Sequence, residues 1–316
     1  MSSTPSKGRP TVLLSVSSFG AAGDGPVRLL ESAGFDVIPN PHGRKLREEE
    51  IAELIVDADA VIAGTEPLNA AVLERAGRLR VISRVGVGLE NVDLNAALRM
   101  GIVVRNTPEA LTDAVAELTL GGLLSVLRQI GRMDRDMHAG AWERQMGGLL
   151  RGRTVGIVGL GRIGRRLAEL LHPFEVRIIA SDRAPDAGVA AHLGVTYVEL
   201  DELLAETDVV SLHLPGMSDA LIGERELALM KPGSILINAS RGGLVDEAAL
   251  HAAISETRLA GAYLDTFATE PYDGPLRELP TVILTPHAGS YAAEARERME
   301  TEAVQNLLES LEEFGT

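Results

Sequence analysis

The stretch Val155-Gly-Ile-Val-Gly159-Leu-Gly161-Arg-Ile-Gly164 reads as an apolar strand that passes through a glycine turn directly into a helix. Gly-x-Gly-x-x-Gly spacing is weak information alone. Here a strand precedes it and helical periodicity over residues 162–171 follows, so each glycine acquires a task. Gly159 permits the tight turn, Gly161 lets a pyrophosphate approach the backbone, and Gly164 lets the helix pack close to the strand. The opening N–H groups of that helix, at Arg162 and Ile163, favour an anion. Just beyond the next strand stands Asp182, where a carboxylate accepts bonds from ribose hydroxyls and repels a 2′-phosphate. That favours NAD over NADP, with Arg183 beside it softening the preference.

Outward from this stretch, short apolar runs alternate with amphipathic ones. Downstream, strands are expected at 176–180, 209–214, 235–238, 262–264 and 282–284, with helices between them. Upstream, strands at 11–16, 36–38, 60–64, 80–83 and 102–105 alternate with helices at 25–33, 48–56, 70–76 and 94–99. This alternation predicts an α/β fold with parallel strands and crossover helices, doubly wound, in two successive series. Between the series, residues 109–135 read as one long helix whose apolar surface is too wide for a surface helix. It must pack into a core or against another subunit. Residues 292–313 form a closing helix.

A chain of 316 residues suits two domains of ordinary size. The formal net charge of −15 repels phosphate backbones and argues against a nucleic-acid partner, so an anionic ligand must be held by local donors. Cysteine is absent, which excludes disulfides, thiol nucleophiles and Cys-ligated zinc and suits a cytoplasmic protein. Lys7 and Arg9 ahead of the apolar run 11–16 mimic a secretory leader, but that run is short and reads better as a first strand. No apolar stretch is long enough to span a membrane, and nothing has the His-Glu-x-x-His spacing of a metal site. His42, His138, His172, His192 and His251 stand beside no partner motif and read as surface or packing residues.

Three later segments carry polar residues that a plain core would not need. They are Asn238-Ala-Ser-Arg241-Gly-Gly243, Asp265-Thr-Phe-Ala-Thr-Glu270-Pro271 and Thr285-Pro-His287-Ala-Gly289. Each falls at the carboxyl end of an expected strand, where open α/β sheets bind ligands. Singly, Arg241 reads as a surface ion-pair partner, Glu270 as a turn carboxylate and His287 as a core histidine. Together they form a complementary set. Arginine grips a carboxylate in bidentate fashion. Histidine exchanges a proton with a hydroxyl near neutral pH. A glutamate beside it favours its protonated form.

These three segments and the glycine turn, in this order and spacing, resemble the D-isomer-specific 2-hydroxyacid dehydrogenases over most of the chain, from about residue 11 to 293. The resemblance implies a Rossmann NAD domain, residues 107–290, inserted into a flavodoxin-like substrate domain, residues 1–106 plus 291–316, with the site in the cleft between them. It implies an NAD-dependent oxidoreductase that interconverts a D-2-hydroxy acid and its 2-keto acid. Arg241 would hold the carboxylate, His287 would act as acid and base, and Glu270 would keep His287 charged for reduction. The loop Val85-Gly86-Val87-Gly88 would bind the carboxylate through backbone N–H groups. Asp265 would contact the nicotinamide amide, with Ala239, Ser240, His287 and Gly289 lining the cofactor, and His213 and Pro215 lining its adenosine side. In relatives the long helix contributes to a homodimer.

Members of the superfamily with other substrates differ at these positions. Formate dehydrogenases carry glutamine where Glu270 stands, and phosphite dehydrogenase carries lysine where Val87 stands, so both substrates are disfavoured. A nucleotide-sensing corepressor of the same fold is the rival reading. The short termini lower it, and the regulatory domains of long phosphoglycerate dehydrogenases are not expected here. Thr266 replaces a usual apolar residue and Ser181 a common aromatic. The C3 substituent of the substrate would be read around residues 17–19, 64–67 and Arg84, which serves either as a contact to a second anion or as a solvent-facing ion-pair partner.

Overall fold

The computed structural model describes residues 9–314. The chain separates into two compact units, one of Met1–Leu111 with Tyr291–Thr316 and one of Thr112–Ser290. Lys7 lies outside the described residues.

The first unit alternates strand and helix from its start. β1 (Thr11–Leu14), α1 (Gly25–Ser32), β2 (Asp36–Pro39), α2 (Glu48–Leu54) and β3 (Ala60–Ala63) are followed by α3 (Ala70–Arg75), β4 (Val81–Arg84), α4 (Leu94–Arg99) and β5 (Val103–Asn106). All pairings are parallel, in the order β2-β1-β3-β4-β5, which is the flavodoxin-like order. Parallel strands covered on both faces read as unbroken apolar runs, and β3 (Ala-Val-Ile-Ala) is buried throughout. The strand order reverses at β1 and β3, so the loops after them open at a switch point. A buried acid ties the two loops together. Glu66 accepts from Ser15 Oγ and from Gly64 N–H.

The second unit begins with α5 (Thr112–Leu127) and α6 (Ile130–His138), then β6 (Thr154–Val158), α7 (Arg162–Leu171), β7 (Arg177–Ser181), α8 (Ala187–Leu193) and β8 (Thr196–Tyr197). It continues with α9 (Leu200–Glu206), β9 (Val209–Leu212), α10 (Glu224–Leu229), β10 (Ile235–Asn238), α11 (Glu247–Ser255), β11 (Gly261–Leu264) and β12 (Val282–Leu284). The sheet order is β12-β11-β10-β9-β6-β7-β8, parallel throughout, the Rossmann arrangement with one strand added. β9, β10 and β11 are fully buried. The chain then returns to the first unit as α12 (Ala293–Glu312), which lays Ala303, Val304 and Leu307, all fully buried, against that unit's sheet. Ser83 Oγ donates to Ala303 O at 2.7 Å. From α12, Glu300 accepts from Gly20 N–H and from Arg296, and so pins the loop after β1.

The single long helix expected over 109–135 is two helices. Gln129 takes a left-handed backbone, φ 53°, and α5 stops at Leu127. The cause is a tertiary cap. The Leu127 carbonyl, which a continuing helix would use, accepts from Gly148 N–H at 2.9 Å. α5 packs on α7, β10, β11 and β12, which accounts for its broad apolar surface without a second subunit. The edge strand β8 has two residues, too few to show a period in sequence.

The turn between β6 and α7 is closely packed. Gly159 has φ +95°, a left-handed region that disfavours side chains. A Cβ on Gly164 would lie 2.2 Å from Gly159 O. Alanine is worth up to about 1 kcal/mol over glycine inside a helix. Overpacking against backbone costs about 1–3 kcal/mol and should dominate. We therefore expect Gly164→Ala to lower the unfolding free energy in urea titrations, and an unchanged or higher midpoint would contradict this packing.

Candidate active site

At the switch point of the second sheet, where β6 neighbours β9, the Gly159 turn faces the segment after β9. A Cβ on Gly159 would lie 2.5 Å from His213 O, whereas one on Gly161 would meet nothing within 4 Å. The turn is therefore closed on its protein side and open at Gly161, where α7 begins without a side-chain cap. Asp182 is fixed in advance, since Oδ2 accepts from Leu160 N–H at 2.8 Å and Oδ1 from Ala184 N–H at 2.9 Å. Arg183 is exposed. His213 Nε2 lies 2.8 Å from Ser211 Oγ. Its Nδ1 is buried and meets no partner among the described residues, and burial pushes the imidazole down to about 4. Neutral at pH 7, it offers one unspent polar atom beside the glycine turn. An open helix N-terminus, a preset carboxylate and this orphaned nitrogen fit a dinucleotide.

The chemistry-bearing loops follow β10, β11 and β12. Asn238, fully buried at the end of β10, holds the first of them. Its Oδ1 accepts from Ser240 N–H at 3.1 Å and Ser240 Oγ at 2.9 Å, and its Nδ2 donates to Arg241 O at 2.8 Å. The Arg241 guanidinium, half-buried, donates to Ser240 O at 2.8 Å. The next residue, Gly242, presses against the second loop. A Cβ there would sit 1.8 Å from the carbonyl carbon of Phe267. In that loop Phe267 N–H donates to Glu270 Oε1 at 3.1 Å, and Glu270 Oε2 lies 2.9 Å from His287 Nδ1. Ala268 N–H donates to Glu247 Oε1 at 2.8 Å. The fold thus joins Arg241, Glu270 and His287 through one continuous set of loop contacts. His287 and Glu270 are 51% and 38% exposed, so the pair is open to a ligand.

Asp265 has a larger part within the protein than sequence assigns it. It is 1% exposed and accepts from Ala288 N–H at 2.8 Å, Gly289 N–H at 2.8 Å and Thr285 Oγ1 at 2.5 Å. An ionised carboxylate has about four acceptor positions, so roughly one is left for a ligand. Asp265 therefore clamps the His287 loop, whose His287 backbone is left-handed at φ 53°.

Three further residues of this site, Asn238, Glu247 and Thr285, do not stand out as functional in sequence. Asn238 and Thr285 sit inside motifs whose charged members draw the reading. Glu247 follows the N-cap Asp246 of α11 and looks like an ordinary first-turn acid. Pro215 is exposed, while Ala239 and Ser240 are buried at the end of β10.

The glycine loop 85–88 lies in the first unit. Gly86 N–H does not serve as a free anion donor, because Thr107 Oγ1 accepts it at 2.8 Å, and Gly86 O accepts from Thr107 N–H at 3.0 Å. Among the described residues, the N–H groups of Val87 and Gly88 carry no such bond. Arg84 is half-buried, folds over Gly86 and donates to Val85 O. Thr266, in place of an apolar residue, leaves a buried hydroxyl without a partner among the described residues, and nothing in the structure explains it. Among the described residues no group of His, Cys, Asp and Glu has metal-binding geometry, and no helix is long and apolar enough to cross a membrane.

Comparison with known proteins points to one family. The model of the NAD-binding domain of the D-isomer specific 2-hydroxyacid dehydrogenases matches residues 120–289. D-3-phosphoglycerate dehydrogenase of Mycobacterium tuberculosis is 41% identical over 265 residues, covering 82% of this chain and 50% of that protein. Glyoxylate reductase of Thermococcus litoralis is 40% identical over 271 residues, 82% of each chain. The crystal structure of the TT0316 protein from Thermus thermophilus shares 37% identity, with a TM-score of 0.88 over 96% of this chain and 97% of that one. The chain spans about half the length of the phosphoglycerate dehydrogenase relatives it matches. It belongs to the D-isomer-specific 2-hydroxyacid dehydrogenase family, and residues 120–289 are that family's NAD-binding domain.

Proposed function

We propose that this protein is an NAD-dependent oxidoreductase interconverting a D-2-hydroxy acid and its 2-keto acid. The observation that carries the reading is the Glu270–His287 pair at 2.9 Å, joined through packed loops to Arg241 in the unit that holds the glycine turn. Bound NAD supplies the hydride acceptor, and NADH the donor. Arg241 grips the substrate carboxylate, where a fork of N–H donors matches two oxygens. With Nδ1 engaged by Glu270, His287 keeps Nε2 for the substrate oxygen. It takes the hydroxyl proton during oxidation and returns it during reduction. The Glu270 contact at Nδ1 fixes the tautomer and orientation of the ring. Val87 and Gly88 offer paired N–H groups of the kind that bind anions. Asp182 binds the adenosine ribose.

The names of the relatives point to small acids, glycerate-type or glyoxylate-type. Following NADH absorbance against glyoxylate, pyruvate, hydroxypyruvate, phenylpyruvate and 2-ketoglutarate tests the class. We expect turnover with at least one acid. Arg241→Ala should lower its kcat/KM about a hundredfold or more, with NADH affinity nearly unchanged. An unchanged kcat/KM in that variant would remove Arg241 from the site. NADH binding with no turnover across the panel would favour a nucleotide sensor.

Asp182→Ala should cut the preference for NADH over NADPH by about tenfold, since a like-charge contact with a 2′-phosphate disappears. Equal discrimination in parent and variant would sink that role.

We also assign a homodimer. Ile130, Met137, Trp142, Met146 and Leu149 are 49%, 50%, 82%, 93% and 71% exposed, an unusual run of large apolar side chains. Light scattering should give twice the chain mass for the parent and a monomer for Trp142→Ala/Met146→Ala. A monomeric parent at micromolar concentration would refute it.

A further inference from the structure

Behind the His287 loop lies a tyrosine that neither the glycine turn nor the acid–base pair uses. Tyr263, in β11, is 1% exposed. Its hydroxyl lies 2.9 Å from Thr285 Oγ1, and Thr285 Oγ1 donates to Asp265 Oδ1 at 2.5 Å. Threonine has one hydroxyl proton, and it is spent on Asp265, so Tyr263 must be the donor to Thr285. Burial pushes the tyrosine hydroxyl above its ordinary value, so the donor proton stays in place. The chain continues from Asp265 to Ala288 N–H and Gly289 N–H, the two peptides that follow His287. His287 N–H itself bonds to Asp265 O at 2.8 Å and Thr285 O at 3.0 Å. One hydrogen-bonded line thus runs from a buried phenol to the backbone on both sides of the acid–base histidine.

The surrounding packing is arranged around this ring. The ring lies on α5 at Gly122, where a Cβ would sit 2.2 Å from Tyr263 Cδ1. Glycine inside a helix costs up to about 1 kcal/mol, and a buried hydroxyl costs more unless bonded. An aliphatic residue in β11 would pack without either penalty. The hydroxyl therefore has a use beyond filling space, and among the described residues the group it reaches belongs to the His287 loop.

We propose that Tyr263 is a positioning residue for His287, acting through Thr285 and Asp265 to hold the 287–289 backbone, in which His287 is left-handed. Hydrogen bonds in series polarise one another, so the phenol strengthens the grip of Thr285 on Asp265. The kinetic part of the proposal rests on the dehydrogenase reading. The loop-positioning part rests on the hydrogen bonds alone.

Hydrogen–deuterium exchange with mass spectrometry on the full chain separates the two. Tyr263→Phe keeps the ring and removes the donor. We expect exchange in the peptide covering 284–290 to rise about fivefold, with peptides from β6 and β9 unchanged. kcat for keto-acid reduction should fall severalfold while KM for NADH holds. Thr285→Val should do the same, Thr285→Ser should restore the parent behaviour, and the Phe/Val double variant should be no worse than Thr285→Val, as expected for one coupled line. Unchanged exchange at 284–290 overturns the proposal. So does a rise spread equally over β6 and β9, which marks Tyr263 as a packing residue, and so do additive effects of the two substitutions. A selective rise in a protein that reduces no 2-keto acid supports the clamp and removes the dehydrogenase reading instead.

Discussion

The carboxylate of Asp265 is the point on which the reactive end of the second unit depends. Buried, and bonded to two peptide N–H groups and a hydroxyl, it fixes the loop after β12 from beneath. Its own N–H bonds to Asn238 O at 2.9 Å, so the same residue also ties the end of β10 to the end of β11. Asn238 in turn holds the loop of Arg241. Burying an ionised group is costly unless donors surround it. Here the donors are the very peptides whose position decides where the histidine stands. A left-handed histidine costs of the order of 1–3 kcal/mol, and the clamp offsets it.

Anion recognition in a chain of net charge −15 must be local. The structure offers oriented backbone N–H groups for this rather than a basic surface. α7 begins open at Gly161, and Val87 and Gly88 leave N–H groups unspent among the described residues. Arg241 adds a side-chain cation, half-buried where a guanidinium is weakly screened. Fixed dipoles of this kind lose little freedom when a ligand arrives, and Asp182, already bonded to Leu160 and Ala184, is prepared in the same way.

Most of this architecture is legible in sequence because parallel strands buried on both faces leave plain apolar runs. The strand Ile235–Asn238 and the helix Arg162–Leu171 fall where their runs and glycines place them. The break at Gln129 is not legible. Apolar residues continue across it at Leu127 and Ile130, no proline or glycine sits at the break itself, and the carbonyl cap comes from Gly148 in a distant loop. β8 is two residues long and has no period to detect. Gly86 reads as a free donor until Thr107, on the far side of β5, is found bonded to it. The approach of Glu270 to His287 could be guessed from motifs. The Asn238 and Asp265 bonds that hold their loops could not, since such partners are set by strand order and not by spacing.

The return of α12 has a consequence for how the protein comes to exist. Ser83 and the apolar faces of β4 and β5 depend for their cover on a helix that follows the whole second unit. On the ribosome, the strands of the first unit must wait for α12, while the inserted unit has all its strands beforehand. Synthesis order and completion order are therefore inverted. Of the two units, the first spends longer with open apolar surface, and a chain stopped before α12 would leave β3, β4 and β5 without that cover.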